Sequence, residues 1–529
     1  MQYPTIVALL ALPLLPIISV AQKKTDKANV KWGPDLTAKE NGVFDEVIGD
    51  AGNSTFLLVR VKKEVHIQRM EGLKTAWQKP VELKVDKKDL TLEHIVLSQG
   101  NLLVFASYYD KKENENKLFV STYAQADFKP ASVLRPIGSI PAEKSSNAGS
   151  FNVTTSPDKS KVLVHIIPPR EKDADQRSRI EMYDAAMQPL WAQEFALPYN
   201  DDEFKLESQR VDNDGSVVVL GVKYAVKQEK RELKRASKAT YEYHLLVYRA
   251  DSPTPQDKVI SVPEKFLQDM TISLPETGDI LCAGLYGNKN SFSVRGAFFL
   301  KLDRQSKQIK HADYKEFGDD FITMYMKEKD AEKAKKRAER KGEEMEMPEY
   351  TLHDIIHRDD GGAVLLAEQY YLVVSTSTMS TGNGGTTTVT TYHYYYNDVL
   401  VINIDPQGNI EWATKVPKRQ HSVNDLGRYS SFAVDVKGSH IYMVFNDTGE
   451  NLFLKPGDKV KQFSLTGKDA LVVLATIDAS GNTSREALFS PDRRDVILRP
   501  KDCVELSDKT MFIYASRKND YRFGQIVFD

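Results

Sequence analysis

Cysteine is almost missing from this sequence: 529 residues contain two, Cys282 and Cys503. So few thiols exclude a disulfide-stapled framework, and a chain of this length must build its core from apolar side chains. Cys282 lies in the apolar segment DILCAGLY (279–286), where a thiol behaves as a small hydrophobe, so two separate buried thiols are expected. An excess of one charge is lacking too. Lys and Arg number 72 against 74 Asp and Glu, a net charge of −2, which excludes a charge-driven grip on nucleic acid or an anionic membrane as the main business. Past the N-terminus no run of about eighteen apolar residues occurs, so the mature chain carries no candidate membrane span and reads as soluble.

Motifs of enzymes are also absent. There is no Gly-x-Ser-x-Gly elbow, His-Glu-x-x-His helix, P-loop or dinucleotide fingerprint, and no cofactor is expected. His353 and His357 in HDIIH stand four apart, but on a strand bounded by turns, where that spacing does not converge on a metal. DNDG (212–215) begins like a calcium loop, lacks the further ligands, and reads as a hairpin turn. No metal site is expected.

What is present starts with an apolar run from Ile6 to Ile18, followed by Ser19-Val20-Ala21. A short apolar core ahead of small residues reads as a secretory signal, residues 1–21, cleaved after Ala21. Pro13 and Pro16 interrupt it and argue against an anchor, although no Lys or Arg precedes it. The mature chain, 22–529, is therefore expected outside the cytoplasm: periplasmic, outer-membrane associated or extracellular.

From there one pattern returns about eight times. Very apolar strands recur at 54–61, 101–109, 160–167, 215–224, 278–286, 362–371, 439–445 and 509–517. Each follows a more polar strand through a turn, such as Asp214-Gly215 or Asp360-Gly361, and precedes a third strand such as LFVSTYA or AFFLKLDR. Units of four antiparallel strands in this number predict an all-β propeller of eight four-stranded blades, with seven as the alternative. Three of the four tryptophans, Trp77, Trp191 and Trp412, mark fourth strands; Trp32 marks a fourth strand with no unit before it. The last unit, 496–529, has only three strands. The strand at Trp32 is therefore expected to join it and close the ring, because an open end leaves unpaired strand edges.

In such a blade the second-to-third strand connections and the crossovers between blades emerge on one face. The long segments 225–240, 375–398 and 446–468 and the charged insertion 327–348 all fall there, which marks that face as the working one. The insertion reads as a solvated helix with Glu332 placed to pair with Lys336, and with Ala331, Ala334 and Ala338 as a thin apolar stripe; it is either a docking arm or a cap on its own propeller. Lys230, Arg231, Lys234 and Arg235 in segment 227–238 offer a basic contact for an anionic partner, or a solvated hairpin tip. The Ser/Thr/Gly tract 375–391 runs into Tyr392–Tyr396. Tyr394 and Tyr395 there suit stacking on sugar rings or burial in a protein partner, unless the segment is simply a long hairpin. Tyr109, Tyr224, Tyr286 and Tyr370 end second strands on the same face and would ring a shallow funnel. Asp202 and Asp320, in crossovers, and Glu368, with Asp447, at strand ends, are the candidate catalytic acids, since glycan-cleaving sites use paired carboxylates.

TSPDKSKVLVHI (155–166) is similar to the Ser-Pro-Asp turn of the WD40-like repeats in TolB-type propellers, and the chain as a whole resembles a secreted bacterial β-propeller. The turn occurs in this form once. That resemblance implies a binding role in the periplasm or at the cell surface and carries over no catalytic residue. The expectation is an exported, non-enzymatic binding or scaffold protein with a cell-envelope protein or a glycan as partner; the alternative is a hydrolytic propeller enzyme using the acids at the channel mouth.

Overall fold

The computed structural model describes residues 23–529 except 170–173, 201, 237, 263, 277, 289–292, 382–384, 466, 468 and 491–495. The expected signal segment, 1–21, lies outside the described residues. The chain is all-β in the manner of a propeller, with successive antiparallel sheets of four or more strands at 43–80, 91–141, 150–200, 204–260, 266–316, 351–423, 433–489 and 497–528. They are called the first to the eighth sheet below.

The second strand of each sheet explains why it forms. In Asn101–Asp110 the run from Leu102 to Ala106 is fully buried, so side chains on both faces of the strand meet apolar neighbours. A strand covered on both sides reads as a continuous apolar run rather than an alternation. Where a sheet turns tightly, left-handed backbone is needed: Gly215, at φ +83, closes the turn in which Asp212 N–H donates to the Ser216 carbonyl at 2.8 Å.

Apolar clusters fill the seams between sequence-adjacent sheets. Phe56 and Ile67 of the first meet Leu102 and Val104 of the second, and Leu285 and Phe299 of the fifth meet Leu365 and Ile402 of the sixth. The same kind of seam joins the two ends of the chain, where Phe44 and Leu57 of the first sheet pack with Phe512 and Phe523 of the eighth. The strand Ala28–Trp32 pairs antiparallel with Asp520–Phe528, Ala28 opposite Phe528 and Trp32 opposite Gly524. A Cβ on Gly524 would stand 2.8 Å from the Trp32 ring and from the Lys31 carbonyl, so the close approach requires glycine. Both cysteines are free and lie in different sheets, Cys282 buried in the fifth and Cys503 half-buried in the eighth.

Two local expectations change. Segment 225–240 is no hairpin tip: Lys227–Arg235 is a helix, because strong helix formers at 227–235 outweigh the turn reading. The first strand of the sixth sheet, read as one run over LHDIIHR, is broken into Thr351–Leu352 and Ile356–His357. The insertion is a helix, Glu328–Lys341, ended by Gly342 at φ +63. Its Ala334 and Ala338 pack on the fifth–sixth seam and Glu332 pairs with Lys336 at 3.7 Å, so it lies as a cap on its own sheets. Among the described residues no helix is long and apolar enough to cross a membrane.

Candidate functional site: an extended hairpin on a buried charged footing

The sixth sheet departs most from the repeat. Its second and third strands, Ala363–Thr381 and Gly385–Ile404, run far beyond their neighbours as a two-stranded arm. Residues 372–392 contain neither a charge nor a proline and are rich in Thr, with three Val, residues that suit a pleated surface. Along the arm Leu372, Val373, Val374, Met379 and Val389 stand exposed, Val374 by 52% and Met379 by 60%.

The base of the arm is braced by a third strand, Gln420–Val423, paired to the third strand of the sheet at His393–Tyr396. On one face Tyr395 is sandwiched, with Tyr371 at 4.6 Å and His421 at 4.4 Å between ring centroids. His393 stacks on His421, with Nδ1 3.1 Å from Nε2. On the other face Tyr394 and Tyr396 are buried, and Tyr370 lies 4.7 Å from Tyr396. Lys501, from the eighth sheet, donates to Tyr396 Oη at 3.2 Å and to the Leu426 carbonyl at 2.9 Å. The tyrosines therefore fasten the arm to the body, and Tyr395 has both ring faces covered.

Beneath this base lies a buried set of charges. Glu368, 2% exposed, forms an ion pair with Lys418, 1% exposed. Ser431 Oγ donates to the other Glu368 oxygen at 2.7 Å. Gln420 Oε1 accepts from Lys418 Nζ at 3.2 Å and from Ser431 N–H at 2.8 Å. Burial alone would raise the Glu368 carboxyl, but the Lys418 ammonium together with hydrogen bonds from His353, Lys418 and Ser431 outweighs it and holds the group below the usual carboxylate range. Close by, Asp447 accepts from Asn451 Nδ2 at 2.7 Å and from Thr448 N–H at 2.9 Å, and faces Arg485 at 3.4 Å. Burial pushes Asp447 up to about 6 against those donors. Lys415 donates to the Ile322 carbonyl at 3.0 Å, and burial lowers its ammonium to about 8. A buried charge with its partners in place holds one arrangement of chain, and removing one partner is costly.

Of the four candidate acids, Glu368 and Asp447 share the buried footing, and Asp202 and Asp320 lie outside it. Asp202 is exposed in the turn between the third and fourth sheets, its N–H donating to Asn200 Oδ1 at 2.9 Å; Asp201 lies outside the described residues. Asp320 is exposed on the short helix Asp319–Thr323, beside Asp319, which pairs with Arg295 at 3.1 Å. Glu368 is enclosed as described. Nor do the strand-end tyrosines touch one another among the described residues. Tyr109 Oη donates to the Ala142 carbonyl at 2.9 Å, Tyr286 is buried, Tyr224 neighbours Tyr241, and Tyr370 neighbours Tyr396. Lys230, Arg231, Lys234 and Arg235 are all exposed on the helix Lys227–Arg235. His353 lies 3.8 Å from Glu368, and no metal-binding group of three or more ligands occurs among the described residues. Lys418, Gln420, Ser431 and His421 escaped the sequence reading, since no motif links residues brought in by three separate segments.

No known protein family matches the chain by its sequence pattern, and no curated protein matches it. Solved structures do. The Dos1 propeller aligns at 8% identity and a TM-score of 0.45, over 94% of this chain and 95% of that one. The WD40 domain of SCAP from fission yeast aligns at 8% and 0.38, over 95% and 98%. The polysaccharide lyase Uly1 aligns at 9% and 0.36, over 94% and 99%. The likeness extends to the repeated antiparallel sheet and no further.

Proposed function

We propose that this chain is an exported, non-enzymatic binding protein, a single closed ring of eight four-stranded blades that holds a cell-envelope protein against its elaborated face. The carrying observation is the arm: a long, uncharged hairpin with exposed apolar side chains, rooted in a fully partnered charged footing. A rigid base under an apolar projection suits a protein surface, since it keeps the ordering cost of docking low. Sugar stacking is less favoured because Tyr395 has no free ring face. Hydrolysis is less favoured because Asp202 and Asp320 lie away from Glu368 and Asp447, and those two are buried in ion pairs with Lys418 and Arg485. Eight sheets, the seam between the first and the last, and the pairing of Ala28–Trp32 with Asp520–Phe528 support the ring. The apolar run before Ala21 supports export.

The test places a photo-crosslinking residue at Val374 or Met379 in the mature chain, in its native envelope, with Asn53 and Lys159, exposed in tight first-to-second strand turns, as control positions. One protein adduct, formed from the arm positions alone and lost when 372–392 are replaced by a short turn, is expected. Equal yields from arm and control positions, or none from the arm, overturn the reading.

A further inference from the structure

A second feature lies away from the arm. Between the fourth and fifth sheets, where the strand Val217–Tyr224 ends and Tyr241–Tyr248 begins, is a cavity of about 240 Å3. The rings of Tyr224, Tyr241, Tyr243 and Tyr350 line it. Tyr241 Oη donates to the Leu267 carbonyl at 2.5 Å and Tyr243 Oη to the Gln268 carbonyl at 3.4 Å, so their hydroxyls are turned to the backbone. Tyr224 and Tyr241 are inclined at 49° with centroids 6.3 Å apart, and Tyr241 meets Tyr243 edge-on at 84°. Unlike the sandwiched Tyr395, these rings do not cover one another's faces.

Three carboxylates complete the wall, Glu207, Asp269 and Glu349, and the lining includes no Lys, Arg or His. Among the described residues none of the three is in an ion pair. Glu207 and Asp269 both stand at β-bulges, between Leu206 and Ser208 and between Leu267 and Asp269, where a bulge re-aims a side chain. Asp269 is oriented by N–H donors from Leu352 at 3.0 Å and Met270 at 2.9 Å. Its carboxyl is raised, by burial first and then by Glu207 and Glu349. The chain's own Lys205 ammonium already rests 5.4 Å from the Tyr224 ring.

Negative ring faces, three carboxylates without an ion-pair partner among the described residues and a partly open pocket of this size together select an organic ammonium over an anion or a neutral polar group. We propose that this cavity binds an alkylammonium group, either a lysine side chain of a partner protein or a free small amine. A volume of that size has room for one such head group and its methylenes. The inference is independent of the arm.

The test titrates the full mature chain by calorimetry with choline, with N-acetyl-lysine methylamide, and with 3,3-dimethylbutanol, the uncharged isostere of choline. Saturable binding of a charged probe is expected, with the isostere weaker by about tenfold or more. The tighter of the two charged probes identifies the source, peptide or small amine. Glu207→Gln with Glu349→Gln, both exposed in the unbound protein, should weaken binding by about tenfold and leave Tm unchanged. Removing 372–392 should leave it untouched. An isostere that binds as well, no binding of either charged probe, or no effect of the Gln pair overturns the proposal.

Discussion

Asp435 sits on the inner strand Ala433–Lys437 with 1% of its surface exposed, and neither carboxylate oxygen has a well-formed hydrogen bond. Burial, and then Glu505, push it up to about 6, with Lys509 and Lys437 only partly offsetting them. The folded chain therefore keeps a proton that the unfolded chain loses near the ordinary value of about 3.9. Stability from the neutral form is complete below about pH 4 and is lost as pH rises through 6. Asp435→Asn should remove that slope. Urea denaturation is expected to find the variant about 1–3 kcal/mol more stable at pH 7 and equal to the parent at pH 4; identical slopes in the two proteins would refute it. Asp447 has a similar value, but two donors hold its carboxylate, so the same change there is expected to gain less. The burial of Asp435 was not legible in the sequence, since an Asp on a half-polar strand reads as facing solvent.

At the scale of elements, the arm depends on one turn at its foot. Gly427 has φ +63, and a Cβ there would stand 2.4 Å from the Tyr396 ring, which Lys501 also holds. Gly427→Ala must move that tyrosine as well as bear left-handed backbone. Gly438→Ala is the control, with φ +59 and nothing within 4 Å, and should cost only the ~1–2 kcal/mol of the backbone term. Hydrogen exchange should quicken at 393–396 and 420–423 in the first variant and not in the second; equal behaviour would show that Tyr396 does not anchor the arm. The hairpin was legible in the Ser/Thr/Val/Tyr tract, and so was the helix Glu328–Lys341 in its charge spacing. The bracing strand Gln420–Val423 was not, because four residues in a crossover carry no periodicity of their own.

For the whole molecule, the proposed ring rests on the strand Ala28–Trp32. Deleting residues 22–32 would bare the backbone edge of Asp520–Phe528 together with Ile526 and Phe528, both buried. Tm is expected to fall by on the order of 10 °C, with concentration-dependent association in light scattering; an unchanged Tm in a monodisperse protein would show that the strand closes nothing. The spare strand at Trp32 and the three-stranded last unit had already announced this pairing, because strand period, turn residues and unit count are local properties written along the chain. The charged footing of Glu368 with Lys418 and the tyrosine-lined cavity belong to the other class. Each draws on residues dozens of positions apart, and which side chains meet depends on how the sheets twist and pack against one another. Sequence alone determined the repeated strands, their grouping in fours and their order; tertiary packing decided which carboxylates are paired, which tyrosine faces are covered, and where a cation would find neither.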